Sequence, residues 1–136
     1  MTSLKTILAL VVIGPLIDAV WIGLIASDFY KNKIGSLLRM SGSSLAPNIP
    51  ATLAVYVALA LLIVFFVLPK VTSENFLTTC LWGLLCGFLV YCFYDMTNLA
   101  LFKDWGLAVT LVDIVWGTFF VGLMTVIGKY LYVYFS

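Results

Sequence analysis

Residues 76–101 read FLTTCLWGLLCGFLVYCFYDMTNLAL, with one charged side chain, Asp95, in the whole run. As a helix rising 1.5 Å per residue, such a run exceeds the roughly 20 residues that cross a bilayer core. Three further stretches have the same character: about Leu4 to Ala26, Ile49 to Leu68, and Gly106 to about Lys129. Four spans leave little chain for anything else. The expected fold is all-α, a polytopic four-transmembrane-helix bundle formed by residues 1–136 as one domain.

Composition agrees. Of 136 residues 64% are hydrophobic and 10% charged, against roughly 25% charged in soluble domains. Seven Lys/Arg against six Asp/Glu give a net charge of +1, too weak a basic field for a nucleic-acid partner. No histidine is present, which excludes His-based acid/base catalysis and the usual zinc sites. Cys80, Cys86 and Cys92 recur every six residues and so point in different directions on a helix. They read as small packing residues. No metal, cofactor or catalytic residue is expected.

The connections set the order of the bundle. Pro69-Lys70 with Thr72-Ser73-Glu74 ends the second helix and offers an N-cap to the third. Lys103-Asp104 closes the third, with Trp105 as an interfacial aromatic. These two short links make the last three helices antiparallel neighbours. The long link, 27–48, carries Phe29, Tyr30, Ile34, Leu37, Leu38 and Met40 among Lys31, Lys33 and Arg39. It predicts either an interfacial amphipathic helix over about 28–40, ended by Ser41-Gly42-Ser43-Ser44, or an ordered polar loop. The first span is too long for a signal peptide and holds Asp18, so it is expected to stay in the mature protein. Four basic residues flank one membrane face and three the other. That small bias puts the long loop in the cytoplasm, with dual insertion as the alternative. The expected location is the cell inner membrane, multi-pass.

Asp18, Asp95 and Asp113 fall within the apolar spans. Each costs about 2.5–3.5 kcal/mol at a helix centre on insertion scales, so such residues are functional candidates by default. Counting about 1.5 Å per residue from the helix ends puts all three roughly 9–12 Å from the same face. They form one layer. Gly14, Asp18 and Trp21 share a face of the first helix; Gly83, Gly87, Tyr91, Tyr94, Asp95 and Asn98 share one on the third; Thr110, Asp113, Trp116, Gly117 and Phe120 share one on the fourth. Gly83-x-x-x-Gly87 allows a close helix approach. The second helix, with only Thr52 and Tyr56 as polar residues near this layer, is expected to be the most lipid-exposed. Leu16-Ile17-Asp18-Ala19-Val20-Trp21 and Leu111-Val112-Asp113-Ile114-Val115-Trp116 share the pattern Asp-x-Val-Trp. On antiparallel helices this echo gives a pseudo-two-fold site. No lysine or arginine is available at that depth, so one or two protonated acids sharing hydrogen bonds with Tyr94, Asn98 or Trp are expected, or else plain helix-to-helix glue. The candidate binding residues are Asp18, Trp21, Tyr91, Tyr94, Asp95, Asn98, Asp113 and Trp116.

These motifs resemble an uncharacterised family of small prokaryotic membrane proteins, domain of unknown function 2177, over nearly the whole chain. The likeness rests on Asp18-Ala19-Val20-Trp21-Ile22-Gly23, Phe29-Tyr30 with Ile34-Gly35, Tyr94-Asp95-Met96-Thr97-Asn98-Leu99-Ala100 and Val112-Asp113-Ile114-Val115-Trp116-Gly117-Thr118. Met96 stands where a leucine is usual. The resemblance implies a four-helix bundle and no established activity.

Three functions fit the acid layer. The first is a proton-linked transporter of a cationic or amphiphilic small molecule, a homodimer like the small multidrug-type exporters it resembles in length and helix count. There the aromatic rings offer cation–π faces, and a hard-cation site from the three acids and Asn98 is a variant. The second is a lipid-binding or lipid-modifying protein using the aspartates as acid and base. Intramembrane aspartyl proteolysis is disfavoured, because residues 110–113 read Thr-Leu-Val-Asp without the required Gly-x-Gly-Asp. The third is an assembly partner of a larger complex. Membrane lipids are partners in each.

Overall fold

The computed structural model describes residues 1–136. Four helices are long and apolar enough to cross a membrane: α1 Thr2–Ile25, α3 Ile49–Val71, α4 Phe76–Leu101 and α5 Leu107–Phe135. A short helix, α2 Ser27–Ile34, follows α1. A turn at Gly35–Leu37 and a two-residue hairpin, β1 Met40–Ser41 with β2 Ser44–Leu45, complete the long connection. Gly42 turns the hairpin at φ 61°, a left-handed conformation open to glycine.

Local chemistry sets the helix ends. Asn48 accepts the Ala51 N–H at 3.0 Å, with Pro50 in the first turn of α3. Asn75 accepts the Thr78 N–H at 2.9 Å and caps α4. The cap is therefore Asn75, not the Thr72–Glu74 stretch expected from sequence. Nor does Pro69 end α3, which continues to Val71. A wider π-turn at Ile63–Val67 comes just before it, where Pro69 has no N–H to give the Phe65 carbonyl and its ring would crowd that group. A second π-turn, Trp21–Ile25, ends α1, with Ala26 N–H donating to the Trp21 carbonyl at 2.7 Å.

α4 and α5 run antiparallel and make the most extensive contact in the molecule. Glycines permit it: a Cβ at Gly87 would lie 2.6 Å from the Gly117 carbonyl oxygen, and one at Gly83 only 2.8 Å from the Thr125 Cβ. The main core is Leu10, Tyr56, Leu59, Ala60, Ile63, Val64, Leu68, Val71, Phe120, Val121 and Met124. Seven of these eleven come from α3, so α3 is not the lipid-exposed helix that its bland sequence suggested. An all-aliphatic helix reads the same whether neighbours or lipid cover it. The exposed stripe belongs to α1, where Leu4, Leu8, Val12, Leu16 and Val20 recur every fourth residue on the surface.

The long connection also departs from expectation. Its helix stops at Ile34 and is no surface-lying helix to residue 40. Tyr30 and Ile34 are buried with Ala26 and Val109 in a second small core, closed by Trp21, Ile22, Phe29, Leu38 and Trp105. α2 thus seats against the start of α5. At the opposite end, the Lys129 ammonium donates to the Glu74 carbonyl and to Thr79 Oγ1, tying α5 to the start of α4.

Candidate functional site

Gly14 and Asp18 lie one turn apart on α1. The Tyr56 ring of α3 passes over Gly14, where a Cβ would meet its Cδ1 at 3.1 Å. That passage brings the Tyr56 hydroxyl to Asp18, donating to Oδ2 at 2.6 Å. The other oxygen, Oδ1, accepts the Trp116 indole N–H from α5 at 2.9 Å. Both lone-pair edges of Asp18 are satisfied by neutral donors.

Asp113 is served from the loop. The Tyr30 hydroxyl of α2 donates to its Oδ1 at 2.5 Å, and the Trp21 N–H donates to the Tyr30 oxygen at 3.3 Å. Burial, and after it the Asp113 carboxylate, push the Tyr30 phenol well above the ordinary phenol range, so it stays a neutral donor. The two indoles stack face to face, 4.5 Å between centroids and 3° from parallel. The repeated Asp-x-x-Trp pattern is therefore exchanged between helices. Trp116 serves the acid of α1 directly, and Trp21 serves the acid of α5 through a tyrosine.

Asp95 lies behind this layer. The α4–α5 register, with Gly83 against Gly122 and Thr125 and Gly87 against Gly117 and Thr118, carries Asp95 to the level of Thr110–Asp113. Its side chain is 0% exposed, and no N–H or O–H of another residue reaches either carboxyl oxygen. Its neighbour on α5 is the Asp113 carboxyl. Asn98, one turn on, is also buried.

In front of the layer is a cavity of about 500 Å³. Asp18, Trp21, Tyr30, Tyr91, Tyr94, Asp113 and Trp116 line its polar end, and Ile22, Val55, Ala58, Leu59, Leu62 and Val90 its apolar walls. α3 meets α4 chiefly through Ile63–Val71, and the cavity fills the gap between them above that contact. It opens sideways there, since Val55 is 62% and Tyr94 54% exposed.

Of the eight residues singled out by sequence, six line this cavity: Asp18, Trp21, Tyr91, Tyr94, Asp113 and Trp116. Asp95 and Asn98 do not reach it. The three acids do not gather around one point as a hard-cation site requires. Nor are both indoles free as cation–π platforms, because each turns one face to the other. Sequence reasoning passed over Tyr30 and Tyr56. Tyr56 had a signal, being the lone hydroxyl-bearing ring in an aliphatic helix. Tyr30 had none beyond its presence in the Phe29-Tyr30 run.

A family model described as "Predicted membrane protein (DUF2177)" matches residues 3–130. Comparison with curated proteins and with solved structures gave no match.

Proposed function

The chain belongs to the DUF2177 family of predicted membrane proteins, and from that premise we propose that it takes an amphiphile with a cationic head group out of the surrounding bilayer. The single observation that carries this reading is the cavity: apolar along its walls, open sideways between α3 and α4, and closed at its polar end by Asp18 and Asp113. A ligand pocket of this size, mostly apolar with a few convergent polar groups, suits a molecule with a chain and a head. The two aspartates accept from neutral tyrosine and tryptophan donors of the same chain, and no lysine or arginine bonds to either. Negative charge there lacks a countercharge, which a cationic head would supply. Tyr94 and Trp21 line the same cavity and bring aromatic rings to that end.

The acids face inward and are bonded within the chain, which speaks against a role that waits for a partner's basic residue. Proton-linked transport would use the same ligand class. The sideways, apolar opening favours capture from lipid over an aqueous route. Membrane lipids are then the source of the ligand, and the cell inner membrane is the location this reading takes.

The test is a titration of the purified protein in neutral micelles with dodecyltrimethylammonium, read by tryptophan fluorescence. Saturable binding is expected, weakened in Asp113→Asn and abolished in Ala58→Phe, which fills the apolar wall. Binding of equal strength in all three proteins would overturn the reading.

A further inference from the structure

Asp18 and Asp113 occupy matching places in an exchanged pair, yet their donors differ in number. Asp18 accepts two, Tyr56 and Trp116. Asp113 accepts one from outside the acid layer, Tyr30. Beside it stands Asp95, fully buried, with neither oxygen reached by a donor. An ionised carboxyl only accepts, so two ionised neighbours would leave Asp95 a bare charge in an apolar interior. A protonated Asp95 removes that charge and its O–H supplies the missing donor.

We propose that Asp95 is a protonated positioning residue, whose carboxylic O–H donates to Asp113 and holds it as the second anion of the cavity. Asp113 then has two donors, Tyr30 and Asp95, as Asp18 has Tyr56 and Trp116. The surroundings support this state from every side. Asp113 faces Asp95 from α5. Tyr30 of α2 holds the far side of Asp113, and Asp18 of α1, tied to Tyr56 of α3, is the next carboxyl beyond it. Tyr91, Tyr94 and Asn98 are the polar neighbours along α4 itself. The lysines and the arginine, at 5, 31, 33, 39, 70, 103 and 129, lie at the helix ends or in the connections.

This assignment rests on the proposed ligand site only for its consequence. Two anions and no cation at the polar end select a head group of positive charge, with Asp95 setting the acceptor geometry of one of them.

Infrared difference spectroscopy of the ligand-free protein at neutral pH tests the protonation. One protonated-carboxyl C=O band is expected in the wild type, kept in Asp18→Asn and lost in Asp95→Asn. Should Asp95→Asn fail to fold, persistence of the band in both Asp18→Asn and Asp113→Asn makes the same assignment by elimination. A wild type without the band, or a band that disappears in Asp18→Asn, overturns it. The second readout is affinity for dodecyltrimethylammonium. Asp95→Asn retains an N–H donor and is expected to bind like the wild type. Asp95→Leu removes a hydrogen bond to a charged group, and about a tenfold loss is expected. Equal affinity of Asp95→Leu and wild type overturns the positioning role. If the band is present but no protein binds the cation, the ligand reading fails and the assignment of the proton stands.

Discussion

Trp116 donates its indole N–H to the Asp18 carboxylate at 2.9 Å, from the fifth helix to the first, across 98 positions of sequence. With Tyr56 on the other oxygen at 2.6 Å, the contact joins α1, α3 and α5 at one carboxylate. Tyr56→Phe and Trp116→Phe each leave that acid one donor short while keeping a ring in place. Each is expected to lower stability by about 1–2 kcal/mol. Unfolding in mixed micelles against increasing denaturing detergent measures this. The same measurement on Phe93→Leu, at a surface ring 80% exposed, is expected to show no loss.

The glycine contact gives a steeper test. A Cβ at Gly117 would sit 2.0 Å from the Tyr91 ring, and one at Gly87 would meet backbone, which cannot rotate away. Gly87→Ala and Gly117→Ala are each expected to cost more than 3 kcal/mol, roughly the upper range for overpacked interiors. Gly23→Ala has no atom within 4 Å and is expected to be neutral or mildly stabilising. Equal stability of the three variants would mean α4 and α5 do not approach through these residues.

Tyr30 carries a pH signature. Its phenol is raised by burial and by the Asp113 carboxylate, whereas an unfolded tyrosine titrates near about 10. The folded state therefore binds the proton more tightly. Its stabilising contribution is complete below the unfolded value and declines as pH rises through the interval above it. Wild-type stability is expected to fall above about pH 10 more steeply than that of Tyr30→Phe. Parallel curves for the two proteins would show that Tyr30 is not held by Asp113.

The stacked indoles offer a spectroscopic check. Two parallel chromophores 4.5 Å apart couple strongly, so a near-ultraviolet circular dichroism couplet is expected in the wild type. Either Trp21→Phe or Trp116→Phe is expected to abolish it, since coupling needs both rings. Trp82→Phe, on the surface beside Lys70, is expected to leave it intact. A couplet surviving Trp21→Phe would rule out the stack.

Sequence by itself determined the number of spans and the bounds of the third. Both follow from local quantities: apolar run length and a fixed rise per residue, read along one helix at a time. It also gave the glycine face of α4, because helical periodicity decides which side chains share a side. Tertiary structure alone decided what each acid touches. Tyr56 reaches Asp18 only because Gly14 leaves room for its ring, and Tyr30 reaches Asp113 only because α2 folds inward over Val109. The burial of α3 lay beyond the sequence for a related reason. Aliphatic side chains meet lipid and protein with nearly the same free energy, so composition carries no mark of which one surrounds them. Hydrogen-bond partners and helix neighbours depend on how faces meet, and no single helix encodes that in its own spacing.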